Sequence, residues 1–133
     1  MTIASVREGL ADRLRTLDGI TVYPEPPLAI TACPCAILDW DDDAADYVRP
    51  GNTTHWRFRV LLLVAEHFPD KAYESLDRYI DKTGDQSVKA ALEGCTAADW
   101  VHVTSCRAPG KITAMNTEFY GCEFKLTAAE TNT

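Results

Sequence analysis

The chain has 133 residues, a length suited to one domain. Its 46% apolar and 25% charged residues place it in the ordinary globular range, so disorder is not the default. A formal net charge of −7 argues against DNA wrapping, which needs clustered Lys and Arg to neutralise phosphates.

No stretch approaches the roughly 20 apolar residues of a membrane span; the longest dense run, Val60 to Ala65, is strand-length. The opening run Met1-Thr2-Ile3-Ala4-Ser5-Val6-Arg7-Glu8 lacks the basic-then-apolar layout of a signal peptide, so the chain is expected to stay where it is made. Five cysteines (Cys33, Cys35, Cys95, Cys106, Cys122) without an export signal read as free, mostly buried thiols, and an odd number leaves one unpaired.

Ile3, Val6, Leu10, Leu14 and Leu17 draw one apolar stripe at helical spacing, and Gly19 can take the left-handed conformation that stops the helix. Ile20 to Tyr23 is a short β-rich run closed by Pro24-Glu25-Pro26-Pro27. Ala29 to Leu38 is apolar enough for a second strand, part of which Pro34 demotes to an edge or bulge. The stretch from about 39 to 53, dense in aspartate and followed by Pro50-Gly51-Asn52, has no period and is expected to form one long acidic loop. His55 to Ala65 is the clearest strand. Trp56, Phe58, Val60, Leu62 and Val64 line one face, and His55, Arg57, Arg59, Leu61, Leu63 and Ala65 the other.

After Pro69, Asp70 can cap a helix carrying Tyr73, Leu76 and Ile80 inward and ending near Gly84. A short helix over about Gln86–Glu93 places Val88, Ala91 and Leu92 on one face. The segment from about 99 to 128 reads as a long hairpin, with a turn or bulge at Pro109-Gly110 and a reversal at Asn116-Thr117. The expected fold is therefore α+β in a single domain: a mainly antiparallel sheet packed against an N-terminal helix and two central helices. Val6, Leu10, Leu14, Phe58, Val60, Leu62, Leu76, Leu92 and Phe124 are its expected common core.

Four local patterns, in order over about residues 2 to 128, resemble the tail terminator proteins of long-tailed, non-contractile phages, especially those infecting actinobacteria. They are the N-terminal helix running into Leu17-Asp18-Gly19-Ile20-Thr21-Val22-Tyr23-Pro24, and the strand Trp56-Arg57-Phe58-Arg59-Val60-Leu61-Leu62-Leu63-Val64. The others are Gly84-Asp85-Gln86-Ser87-Val88-Lys89-Ala90-Ala91-Leu92-Glu93, the most distinctive, and the closing strand Phe119-Tyr120-Gly121-Cys122-Glu123-Phe124-Lys125-Leu126. The Cys33-Pro34-Cys35 element and the aspartate density of Asp39 to Asp46 depart from the family's pattern. The resemblance implies a non-enzymatic subunit of a homohexameric ring in the virion's tail neck, assembled in the host cytoplasm. Such a ring caps the tail tube at its head-proximal end, stops tail growth and forms the surface that joins the head. Its partners would be copies of itself, the major tail tube protein and a head-tail connector or stopper protein, with DNA passing through the bore without specific binding. No cofactor and no membrane are implied.

Chemical readings compete with this one. Cys33-Pro34-Cys35 with His55, His67 and His102 invites zinc, but structural zinc sites space paired cysteines by two to four residues and require a second pair. Thiols in the core or at an edge are the better reading, and nothing marks one of the five cysteines as a nucleophile, which needs a basic neighbour together with partial exposure. The run Asp39, Asp41, Asp42, Asp43, Asp46 lacks the layout of a calcium-binding EF-hand and reads as a solvated loop, or in a ring as part of a negative collar near the bore. Trp56 and Trp100 are expected in the core. Trp40 is either a loop anchor or an inter-subunit plug, and the interface reading is preferred. No catalytic, cofactor or metal residue is assigned. The candidate interface residues are Trp40, Asp41, Asp42, Asp43, Asp46, Arg57, Arg59 and Lys111, with Arg57 and Arg59 expected to meet a neighbour's aspartates. The alternatives are another neck component, a head-completion or stopper protein, and more remotely a small cytosolic thiol or metal module built on Cys33, Cys35 and His55.

Overall fold

A computed structural model of the protein describes residues 2–47, 53–66 and 68–131; the expected turn at Pro50-Gly51-Asn52 and His67 lie outside them. The described residues form α1 (Ile3–Leu14), β1 (Thr21–Tyr23), β2 (Cys35–Asp46), β3 (Thr53–Val64), α2 (Pro69–Ile80), α3 (Val88–Glu93), β4 (Trp100–Cys106), β5 (Gly110–Ala114) and β6 (Thr117–Thr131). The fold is α+β. Its sheet runs β1-β2-β3-β6-β4, with β5 also pairing β6, and every pairing is antiparallel except β1 with β2.

Thr2 opens α1 with a reciprocal cap: its hydroxyl accepts from the Ser5 N–H while the Ser5 hydroxyl accepts from the Thr2 N–H. The stripe Val6, Leu10, Leu14 and Leu17 is buried, and Gly19 takes φ +73° past the helix end, as the spacing predicted. In α3, Ser87 accepts from the Ala90 N–H, and Val88, Ala91 and Leu92 turn inward. All nine expected core residues lie in one cluster between the helices and one sheet face.

The hairpin at the end of the chain reverses at Met115 and Asn116, both at positive φ, between the partners Ala114 and Thr117. Its return strand, β6, is long enough to hold β3 along one side and both β4 and β5 along the other. The interruption at Arg107–Pro109 divides what would otherwise be one strand facing it.

Several expectations change. The second strand begins at Cys35, not Ala29, because Pro34 has no N–H to give the ladder. The aspartate run is not a loop. It is the second half of β2, where Trp40 pairs Phe58 but Ala45 pairs Trp56, so three extra residues bulge from the strand. Trp40 is accordingly a strand residue. Asp70 does not cap α2, whose N-cap is Phe68 with no side-chain bond. That helix is rotated so that Ala72, Leu76 and Tyr79 are buried and Tyr73 faces out, its hydroxyl donating to the Pro109 carbonyl at 3.1 Å. Trp100 is 45% exposed because Val101 and Val103 take the inward positions on β4.

Candidate interaction face

The buried residues of all three helices join the core on one sheet face, and the sheet's other face has no helix against it among the described residues. Alternation along the strands gives that open face a definite composition. From β3 it takes His55, Arg57, Arg59, Leu61 and Leu63; their register partners are Cys35, Ile37 and Asp39 on β2 and Gly121, Glu123, Lys125, Thr127 and Ala129 on β6. The face is therefore apolar at one end and charged at the other.

At the apolar end Cys35, Ile37, Leu63 and Ala114 are buried together, with Tyr23, Ile30, Cys33, Leu61, Ile112 and Phe119 packed partly buried around them. Gly121 makes this packing possible. A methyl group there would strike the Leu62 carbonyl oxygen and lie 2.8 Å from Leu63 Cδ2. Two open grooves flank the cluster. One of about 420 Å³ runs between Ile30–Cys33 and Phe119–Tyr120, and one of about 330 Å³ runs between Pro26, Leu61 and Ile112.

At the charged end the strands bring most of the predicted interface charges together. Arg57 Nη1 lies 3.0 Å from Asp43 Oδ2 and its Nη2 lies 3.6 Å from Asp46 Oδ2. Arg59 Nη2 is 3.4 Å from Asp39 Oδ2, and Lys125 Nζ is 3.7 Å from Asp41 Oδ1. Arg57 and Arg59, expected to meet a neighbour's aspartates, stand within this chain opposite the aspartates of β2. Five aspartates (Asp39, Asp41, Asp42, Asp43, Asp46) meet three cations, an excess of only two negative charges, so this belt is far less negative than the aspartate run alone suggests. Asp42 is exposed, and its N–H donates to Asp41 Oδ1 at 2.9 Å.

The other two predicted residues stand apart. Trp40 turns to the helix side, stacked 4.6 Å from Phe58 and beneath the Arg7 guanidinium at 5.4 Å, which makes it a packing residue. Lys111 belongs to the terminal hairpin, 3.5 Å from Glu118. Sequence reasoning missed Lys125 as a member of the belt, and Leu61, Ile112 and Phe119 as its apolar continuation. The alternation of Lys125 with Phe124 and Leu126 was the available signal.

The thiols and histidines are dispersed. Cys33 Sγ and Cys35 Sγ are 4.0 Å apart at the apolar end, whereas His55 pairs Asp46 at the opposite end of β2. His102 Nδ1 lies 3.2 Å from Glu93 Oε2, on the far edge of the sheet. Burial raises the Cys33 thiol and, reinforced by Cys33, lifts Cys35 to about 12, so both are neutral at physiological pH. A hydrogen bond from Cys122 pulls Cys106 below its ordinary range, and the same bond, with burial, pushes Cys122 up. Among the described residues, no three of His, Cys, Asp and Glu converge to hold a metal ion.

What this arrangement offers is a candidate surface: half-buried apolar side chains around a buried cluster and two grooves, beside a belt of cross-strand ion pairs, on a sheet stiffened from behind by helices. No protein-family model matches the chain, and no curated protein matches it. Among the described residues, no helix is long and apolar enough to cross a membrane.

Proposed function

We propose that the chain is a structural subunit of a hexameric ring that caps a phage tail tube at its head-proximal end, stops tail growth and presents the head-joining surface. One observation carries the reading furthest, the sheet face that the helices leave open. A helix-backed sheet with an apolar zone beside a charged zone suits contact with other protein subunits. Closed rings are built by such contacts between unlike patches. The belt of ion pairs would set register more than affinity, since charged pairs at a rim mainly steer and select. The four sequence patterns, in family order, supply the choice of assembly.

In this reading the partners are further copies of the chain, the major tail tube protein and a head-tail connector or stopper, and DNA passes through the bore without specific binding. The protein works by shape and surface in the tail neck, not as an enzyme. Mass photometry and negative-stain imaging of the chain, alone and with tail tube protein, test the proposal. Six-membered rings, or caps at one tube end, are expected. A chain that stays monomeric and never joins tube ends at high concentration would refute it, and rings that ignore tubes but join the head connector would reassign it to another neck position.

A further inference from the structure

We propose that copies of this chain meet margin to margin, with Asp42 on the β2 bulge of one copy entering the groove beside Arg107 of the next. The contact rests on the ring reading and names how its copies join.

Subtracting the pairs that the chain makes with itself leaves the charges open to a neighbour. Asp39 is matched by Arg59, Asp43 and Asp46 by Arg57, and Asp41 by Lys125. Of the five belt aspartates, Asp42 alone makes no ion pair among the described residues, and it is exposed. The bulge explains why. Between the pairs Trp40–Phe58 and Ala45–Trp56, the residues Asp41 to Ala44 stand opposite Arg57 alone, so the backbone leaves the ladder and carries Asp42 away from the cations of β3 and β6.

The matching cation is at the other margin. β4 ends at Cys106, and Arg107 opens the interruption before β5, where its N–H donates to the Glu123 carbonyl at 2.7 Å. That bond fixes the backbone, while Arg107 is exposed and its guanidinium makes no ion pair among the described residues. Ser105, Arg107, Glu123 and Lys125 line a groove of about 330 Å³ there. It holds two cations and one carboxylate, an excess of one positive charge, which one aspartate balances. Arginine suits the role because its planar fork takes both oxygens of a carboxylate.

Topology gives the contact a direction. β2 and β4 lie on opposite sides of the β3–β6 pair, so bulge and groove cannot both face one partner across a two-fold axis. A contact between unlike patches passes from copy to copy, which is the type that closes into rings. The pair sets direction and register, and reversing either charge turns attraction into repulsion.

Mass photometry across a concentration series tests the contact with Asp42→Arg, Arg107→Glu and the double variant, each also melted by circular dichroism. Either reversal alone is expected to weaken self-association by about tenfold or more. Both should melt like wild type, since neither residue is ion-paired within the chain. An equimolar mixture of the two single variants is expected to assemble again, because every bulge then finds a groove of opposite charge. The double variant should assemble unaided. Rings formed equally by wild type and both single variants overturn the contact and leave the ring reading standing, and so does a loss that neither the mixture nor the double variant recovers. Assemblies of another size that still follow the charge swaps support the contact and overturn the ring of six. A wild type that never assembles overturns both.

Discussion

Replacing Gly121 with alanine sets two effects against each other, and the structure decides between them. Glycine in a strand interior costs about 0.5–1 kcal/mol in conformational entropy, so alanine there carries an intrinsic advantage. The new methyl group, however, would meet the Leu62 carbonyl oxygen, with Leu63 Cδ2 at 2.8 Å and Ile112 Cδ1 at 3.3 Å. A side-chain terminus could shift, but the Leu62 carbonyl belongs to β3, which is hydrogen-bonded to strands on both sides. Overpacking of this kind costs about 1–3 kcal/mol. The steric effect wins, and Gly121→Ala is expected to destabilise the protein by about 1–2 kcal/mol. Gly110 is the control: it pairs Gly121 in register, yet a methyl group there has nothing within 4 Å, so Gly110→Ala should be neutral or slightly stabilising. Urea unfolding reads both. With a slope of about 1–3 kcal/mol/M, the Gly121→Ala midpoint should fall by roughly a third of a molar to two molar at unchanged slope. A midpoint at or above wild type, or an equal fall for Gly110→Ala, would refute the close approach of β3 and β5 over Gly121.

Leu62→Ala, at a fully buried position in the main core, should cost about 2–5 kcal/mol by thermal or urea unfolding; a loss under about half a kcal/mol would mean that the site collapses around the cavity. Arg57→Glu sets a third carboxylate beside Asp43 and Asp46, replacing two partly exposed attractions of about 0.2–1 kcal/mol each with repulsion; about 1–2 kcal/mol should be lost. Adding Asp43→Arg should recover part of it in a double-mutant cycle, and strict additivity would show that the pair does not couple. Glu93 sits against burial that opposes its charge, yet Lys89, the Val103 N–H and His102 hold its carboxyl below the ordinary range. A depressed folded value means that its contribution is present above the ordinary glutamate pKa of about 4.3 and is lost as pH falls through the lower folded value. The stability gap between wild type and Glu93→Gln should therefore be flat at neutral pH and close in acid; a gap that widens in acid would reverse the sign.

Much of this fold was legible because apolar spacing is a strong signal wherever one side of an element is buried. The α1 stripe, the alternation of β3 and the short α3 all follow from it, while the reversal expected at Asn116-Thr117 falls one residue earlier, at Met115–Asn116. The failures have physical causes. Aspartate is a poor strand former, so Asp39–Asp46 read as a loop; cross-strand arginines and Lys125 hold it in the sheet, and such pairing is invisible until register is known. Tyr73 and Ala72 are adjacent, and their order around α2 depends on what the helix docks against, which local sequence does not encode. Trp100 is expected in the core because it lies in a strand, but β4 is at a sheet edge where one face meets solvent and His55 stacks edge-on to the indole at 5.2 Å. The candidate face was half legible: its charges were named, but not that they belong to one chain's own ladder.

The bulge in β2 has a consequence for how copies of this chain can behave when crowded. Among the described residues, β1 covers only Cys35–Ile37, which leaves the outer margin of β2 without a neighbouring strand from Leu38 onward. A straight, apolar margin of that length would be a template for endless strand-by-strand growth. Here three surplus residues break the hydrogen-bonding rhythm, and the ion-paired aspartates keep the margin polar instead of apolar. Association along this side is steered away from fibre-like stacking. Recognition along this side is left to side chains instead of backbone pairing.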